Sequence, residues 1–207
     1  MASLAEELLF QIDRHRCDDG GFSQFGKVSR GTAYGCFLAL GAYQELAGTD
    51  TAAGLMDGVP SRGGPCPPYI LQCLQSLRTA DGAYANEPAQ ACGMTSATAA
   101  ACIVLRQMNQ PTPSGVADWL LARREQGGFL ASPAAPIPDL LSTATALHAL
   151  AGMGVPTATM AESVSTFVTS LLCEDGGFRG NWLERNSDCE YTFYALLALG
   201  TVSLRPA

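Results

Sequence analysis

Four short segments of one pattern recur along the chain: Asp19-Gly20-Gly21-Phe22, Asp81-Gly82-Ala83-Tyr84, Gln126-Gly127-Gly128-Phe129 and Asp175-Gly176-Gly177-Phe178. Their starts lie 62, 45 and 49 residues apart, within or just above the period range of helical-pair repeats. Such a recurrence restricts the fold more than any other feature, because each unit can bury its apolar face only against its neighbours. Each segment follows one amphipathic stretch and precedes a second, more uniformly apolar one. The expected fold is therefore all-α, with four helical hairpins arranged in an outer and an inner helix layer.

The first member of each pair carries one apolar stripe at helical spacing: Leu4, Leu8, Ile12; Ile70, Leu74, Leu77; Val116, Trp119, Leu120; and Val164, Phe167, Val168, Leu171. Polar residues occupy the opposite faces, as suits outer helices. The second members, around 32–40, 97–105, 142–150 and 191–199, are apolar around the whole circumference, which assigns them to the inner layer. Gly48, Gly154 and Gly200 follow the last periodic residues of inner helices, where a left-handed cap suits glycine. Pro111, Pro113 and Pro156 stop helical continuation. The glycine pairs are expected to supply positive φ in the hairpin turns, with the following Phe or Tyr packed back as an anchor. The reading is one domain over 1–207, with repeats at about 3–47, 67–109, 114–153 and 159–204. The Gly/Pro-rich stretch 48–66 is a loop of the length used for lids or binding segments.

Composition narrows the partners. Hydrophobic residues make up 47% and charged residues 15% of the 207, against about 25% charged on average, so the chain is not disordered. Twelve basic and nineteen acidic side chains leave a net charge of -7, and without a Lys/Arg cluster there is no footprint for nucleic acid. No apolar run reaches the ~18 to 20 residues that cross a bilayer. Glu6, Glu7 and Asp13 interrupt the start where a signal peptide would be basic and then apolar, so a cytoplasmic location is expected. The eight cysteines, at 17, 36, 66, 73, 92, 102, 173 and 189, include no Cys-x-x-Cys and sit mostly in apolar stretches. Free buried thiols in a reducing compartment are expected.

An outer helix, then Asp-Gly-Gly-Phe, then an inner helix such as Tyr191-Thr192-Phe193-Tyr194-Ala195-Leu196-Leu197-Ala198-Leu199, resembles the repeat of the protein prenyltransferase β subunits and the squalene and terpene cyclases. The resemblance covers nearly the whole chain. It implies an α/α toroid whose inner helices surround an apolar cavity for an isoprenoid chain. In the class II cyclases of that superfamily a D-x-D-D-T motif opens an inner helix, and its middle acid protonates an alkene or epoxide. Asp139-Leu140-Leu141-Ser142-Thr143 keeps only the first Asp and the Thr, whereas Asp188-Cys189-Glu190-Tyr191-Thr192 keeps an Asp, an acid two positions later and the Thr. The resemblance thus implies Glu190 as the acid, with Asp188 beside it and Asp139 as a further candidate. A Glu facing an apolar cavity would be held protonated by desolvation, as a general acid requires; facing water, it would not. In the prenyltransferases zinc is held by Asp, Cys and His, the His opening the last inner helix. Tyr191 stands there, a poor zinc ligand, so no metal or other cofactor is expected.

Tyr34, Phe37, Trp182, Tyr191 and Tyr194 are candidates to line the cavity, with ring faces suited to a carbocation, and His148 joins them from deep in an inner helix. Each candidate has a plainer reading: the carboxylates cap helix N-termini, the aromatics pack a core, and His148 is a core histidine. The superfamily's full ring takes more hairpins than the four visible here, which leaves an open arc with two apolar edges. Self-association or a second subunit is expected to cover them. The sequence therefore supports a small cyclase- or prenyltransferase-like enzyme acting on an isoprenoid or other hydrophobic chain. The alternative is a non-catalytic hydrophobic-ligand or protein-binding module forming part of a composite ring.

Overall fold

The computed structural model describes residues 4–26, 28–47 and 67–203; the expected 48–66 loop and the Gly48 cap lie outside them. Among the described residues eight α-helices follow in chain order: α1 (Leu4–Asp13), α2 (Ala33–Ala47), α3 (Pro67–Ser76), α4 (Thr95–Gln107), α5 (Val116–Leu121), α6 (Leu140–Gly152), α7 (Ala161–Thr169) and α8 (Cys189–Ser203). They form the four expected hairpins. The uniformly apolar helices α2, α4, α6 and α8 pack side by side in sequence order; α1 backs onto α2, α3 onto α2, α5 onto α4 and α6, and α7 onto α8. Two cores result. Phe22, Leu40, Ile70, Leu74, Leu77 and Tyr84 belong to the first, and Leu120, Phe129, Leu147, Leu150, Phe167 and Leu171 to the second.

The joint between outer and inner helix is built the same way each time. The first glycine of each turn adopts positive φ, at +80° for Gly20, +86° for Gly82, +85° for Gly127 and +85° for Gly176, a region open to glycine at little cost. Phe22, Tyr84 and Phe129 are buried behind the turns, and Phe178 is partly buried. Where the turn begins with Asp, its carboxylate reaches twelve residues ahead to the entry of the inner helix. Gly31 N donates to Asp19 at 3.1 Å, Gly93 N to Asp81 at 3.1 Å, and the Ser187 hydroxyl to Asp175. Two outer-layer arginines are also committed here, with Arg16 over the Phe22 ring at 5.0 Å and Arg78 over Tyr84 at 5.4 Å.

A second tie runs fourteen residues ahead. The backbone N–H groups of Tyr84, Phe129 and Phe178 donate to the hydroxyls of Thr98, Thr143 and Thr192 at 3.1, 2.9 and 3.1 Å. An unpaired N–H at such a buried point costs about 1–3 kcal/mol, which accounts for a hydroxyl at this helical position in three hairpins. The third turn begins with Gln126 and closes instead through a small antiparallel sheet of β1 (Arg124–Glu125), β2 (Gly128–Leu130) and β3 (Pro138–Asp139). Phe129 pairs with both Arg124 and Asp139. Single bridges at Arg16–Phe22, Arg78–Tyr84, Leu172–Phe178 and Phe178–Asp188 are reduced versions of it.

Two expectations are corrected. Leu4 and Leu8 are exposed, and α1 packs through Leu9 and Ile12, because among the described residues this first outer helix packs mainly against α2. Gly200 does not end its helix; α8 continues to Ser203. Burial of Thr201 and Val202 in the last turn outweighs glycine's helix penalty of about 1 kcal/mol. The described cysteines are free; Cys17, Cys36, Cys73 and Cys102 are buried, Cys92 and Cys173 partly so, and Cys189 exposed. No helix among the described residues is long and apolar enough to cross a membrane.

Candidate functional site

The candidate site gathers at the N-terminal ends of the inner helices. Tyr34 on α2 and Tyr194 on α8 touch through their hydroxyls at 3.0 Å, so the described arc is drawn together where its first and last inner helices begin. Phe37 lies 6.1 Å from the Tyr34 ring and Phe193 5.4 Å from the Tyr194 ring. Burial first, then the Tyr34 hydrogen bond, pushes the Tyr194 phenol up, keeping it neutral. Burial also pushes Tyr191 up, assisted by the negative charges of Glu184, Asp139, Asp188 and Glu190 around it.

Asp139 opens α6. Its carboxylate accepts the Ser142 N–H at 2.7 Å and the Ser142 hydroxyl at 2.7 Å, which caps the helix. Burial pushes its pKa up, Ser142 works against that, and the nearby charge of Glu184 adds to it. The loop before α8 closes over this point. Gly180 accepts the Leu140 N–H at 2.8 Å, donates its own N–H to Glu184 at 3.0 Å, and lies so close to the Tyr191 ring that a side chain at 180 would collide with it. The contributions of Glu184 and Gly180 were missed by sequence reasoning, because neither stands in a repeated motif.

A folded-state pKa above the unfolded one means that the folded chain binds the proton more tightly, so stability from this group falls as pH rises between the two values. Relative to Asp139→Asn, the wild-type chain should lose stability as pH climbs from about the ordinary Asp value of 3.8 and level off above the raised one. Urea unfolding of both proteins across that range checks it; a difference that grows in the opposite direction would reverse the assigned sign.

Glu190 sits in the first turn of α8 and is exposed. The expected apolar surroundings are therefore not those of Glu190. Asp188 is exposed too, and its carboxylate accepts the Tyr191 N–H at 2.7 Å, a helix cap. Trp182 does not line the inner face; it packs edge-on against Phe167 of the outer helix α7 at 5.4 Å and donates to the Ser170 hydroxyl at 2.9 Å. His148 is half-buried and lies nine residues along α6 from Asp139, roughly 13 Å of helix. Burial, then the Arg106 charge, lowers its pKa, and it stands apart from the tyrosine group. The donor set of a prenyltransferase zinc site does not fit: Asp188 is spent on its cap, Cys189 is exposed, and Tyr191 replaces the imidazole. No cluster of three or more metal-ligating side chains occurs among the described residues.

The paired helices, the inner layer and the repeated Gly-turn joint define a helical-repeat toroid. The chain belongs to the prenyltransferase alpha-alpha toroid domain family, whose model matches it twice, over residues 5–131 and 67–205. The two matches begin 62 residues apart, the same as the first repeat interval, so one is displaced from the other by a hairpin. Among curated proteins none matches the chain.

Proposed function

We propose that this chain is a small cyclase-like enzyme that acts on an isoprenoid or other hydrophobic chain, with Asp139 as its proton donor. The observation that carries the reading is the partial burial of the Asp139 carboxyl at the entry of an inner helix, its two oxygens held by one serine. Protonation of an alkene would break the Asp139 O–H bond, form a C–H bond with the π electrons and leave a carbocation. The Ser142 N–H and hydroxyl would hold the carboxylate that remains. Tyr34, Phe37, Phe193 and Tyr194 offer ring faces to such a cation, and the neighbouring carboxylates favour it electrostatically. Incubating the chain with linear isoprenoid alkenes, epoxides and diphosphates, with products read by gas chromatography and mass spectrometry, tests the reading. Cyclic or rearranged products lost in Asp139→Asn support it; no product from any class overturns it.

A binding module completed by a second copy is the alternative. It is favoured by an apolar groove of about 290 Å³ between α1 and α2, lined by Ile12, Phe22, Leu38, Ala39 and Ala42, at the small end of ligand sites. At the other edge of the arc Phe193 and Leu196 are 59% and 62% exposed. On this reading light scattering returns a multiple of 21.6 kDa and Phe193→Glu returns the monomer; a wild-type monomer at micromolar concentration removes it.

A further inference from the structure

The sulfurs of Cys36 on α2 and Cys73 on α3 lie 4.0 Å apart, with residue exposures of 0% and 1%. Cys36 occupies the position that Thr98, Thr143 and Thr192 hold in the other hairpins, fourteen residues after the anchor aromatic. Those threonines donate onward to carbonyl oxygens. In the first hairpin the onward neighbour is instead a second thiol, contributed by the outer helix of the next hairpin. In the pair the Cys36 S–H donates and the Cys73 sulfur accepts, the same onward direction as the threonine hydroxyls. When Cys36 gives up that proton the Cys73 S–H can turn to donate to it; this bond first, helped by the Phe22 N–H and opposed by burial, draws the Cys36 thiol below its usual range, while the same bond and burial push Cys73 up.

We propose that Cys36 and Cys73 are a redox pair that closes to a disulfide tying α2 to α3, with a small hydroperoxide such as hydrogen peroxide as oxidant. The Cys36 sulfur attacks one peroxide oxygen; an S–O bond forms, the O–O bond breaks, and the departing hydroxide leaves as water with the Cys36 proton. The Cys73 sulfur then attacks the Cys36 sulfur; the S–S bond forms, the S–O bond breaks, and the second water carries away the Cys73 proton. Two electrons pass from the thiols to the peroxide. Burial of both sulfurs favours an oxidant of that size over a glutathione-sized disulfide. Forming the bond brings the sulfurs from 4.0 Å to about 2.05 Å.

The test treats the purified chain with hydrogen peroxide, quenches it with N-ethylmaleimide in denaturant, and weighs it. Of the eight thiols, two fewer should be labelled, and a non-reducing peptide map should join Cys36 to Cys73. Dithiothreitol should reverse the link much faster in urea than in the folded protein, and the oxidised form should melt several degrees higher. Cys36→Thr, which restores the hydroxyl of the other hairpins, should fold and show no link. In Cys73→Ala, Cys36 should stop at the sulfenic acid, read as the gain of one oxygen in the intact mass. Labelling of all eight thiols after peroxide, a link between other cysteines, or a link that survives either substitution overturns the proposal.

Discussion

Asp139→Asn is expected to fold with nearly wild-type stability and to lose turnover by about 10²- to 10⁴-fold, the usual worth of a general acid. Asn matches Asp as a helix cap, so its carbonyl oxygen still accepts the Ser142 N–H now 2.7 Å from the carboxylate, and the Ser142 hydroxyl can turn to accept from the new amide. Asp139→Ala removes cap and acid together and should cost about 1–2 kcal/mol of stability as well. The pair separates a chemical role from a structural one. Glu190→Gln should leave both stability and turnover close to wild type, since the side chain is exposed. If Glu190→Gln loses turnover and Asp139→Asn keeps it, the acid is Glu190.

Phe129→Ala should be the most damaging single change to the fold. The ring is fully buried in the core of the third and fourth hairpins, where Phe→Ala substitutions cost about 3–5 kcal/mol. At this chain length each kcal/mol lowers the melting temperature by roughly 2–4 °C, so a fall of about 10 °C is expected. The same residue pairs through its backbone with Asp139 and with the Thr143 hydroxyl, and a collapsing site would loosen the capped end of α6. Phe178→Ala, at the partly buried equivalent in the last hairpin, should cost clearly less. Chemical denaturation of the two variants measures the contrast; equal losses would contradict the difference in burial.

The layers and the four turns were legible because glycine and aromatic residues recur at fixed offsets, and local backbone geometry demands those residues. The ranking of the acids was not legible. Spacing put Glu190 ahead of Asp139, but burial depends on neighbours: α6 packs closely between α4 and α8, while among the described inner helices α8 packs mainly against α6 and leaves Glu190 exposed. Trp182 was equally opaque, since a loop residue can turn to either layer, and here it joins Phe167 and Ser170. Glu184 and Gly180 act through a loop that crosses to another hairpin, a contact no local pattern records. The departure at Cys36 becomes visible only once the hydroxyls at Thr98, Thr143 and Thr192 are seen to share one task.

Each joint is pinned at both ends, most plainly in the fourth hairpin, where Phe178 bridges Asp188 and Asp175 holds Ser187. The residues between those pins carry no helix of their own, and they meet the helices through a few positions, Gly180 at Leu140 and Trp182 at Phe167. Such stretches are natural insertion points: their chemistry can be rewritten, by evolution or by grafting, while the scaffold beneath keeps its shape. A family assembled from such units can diversify what it recognises by exchanging short connectors.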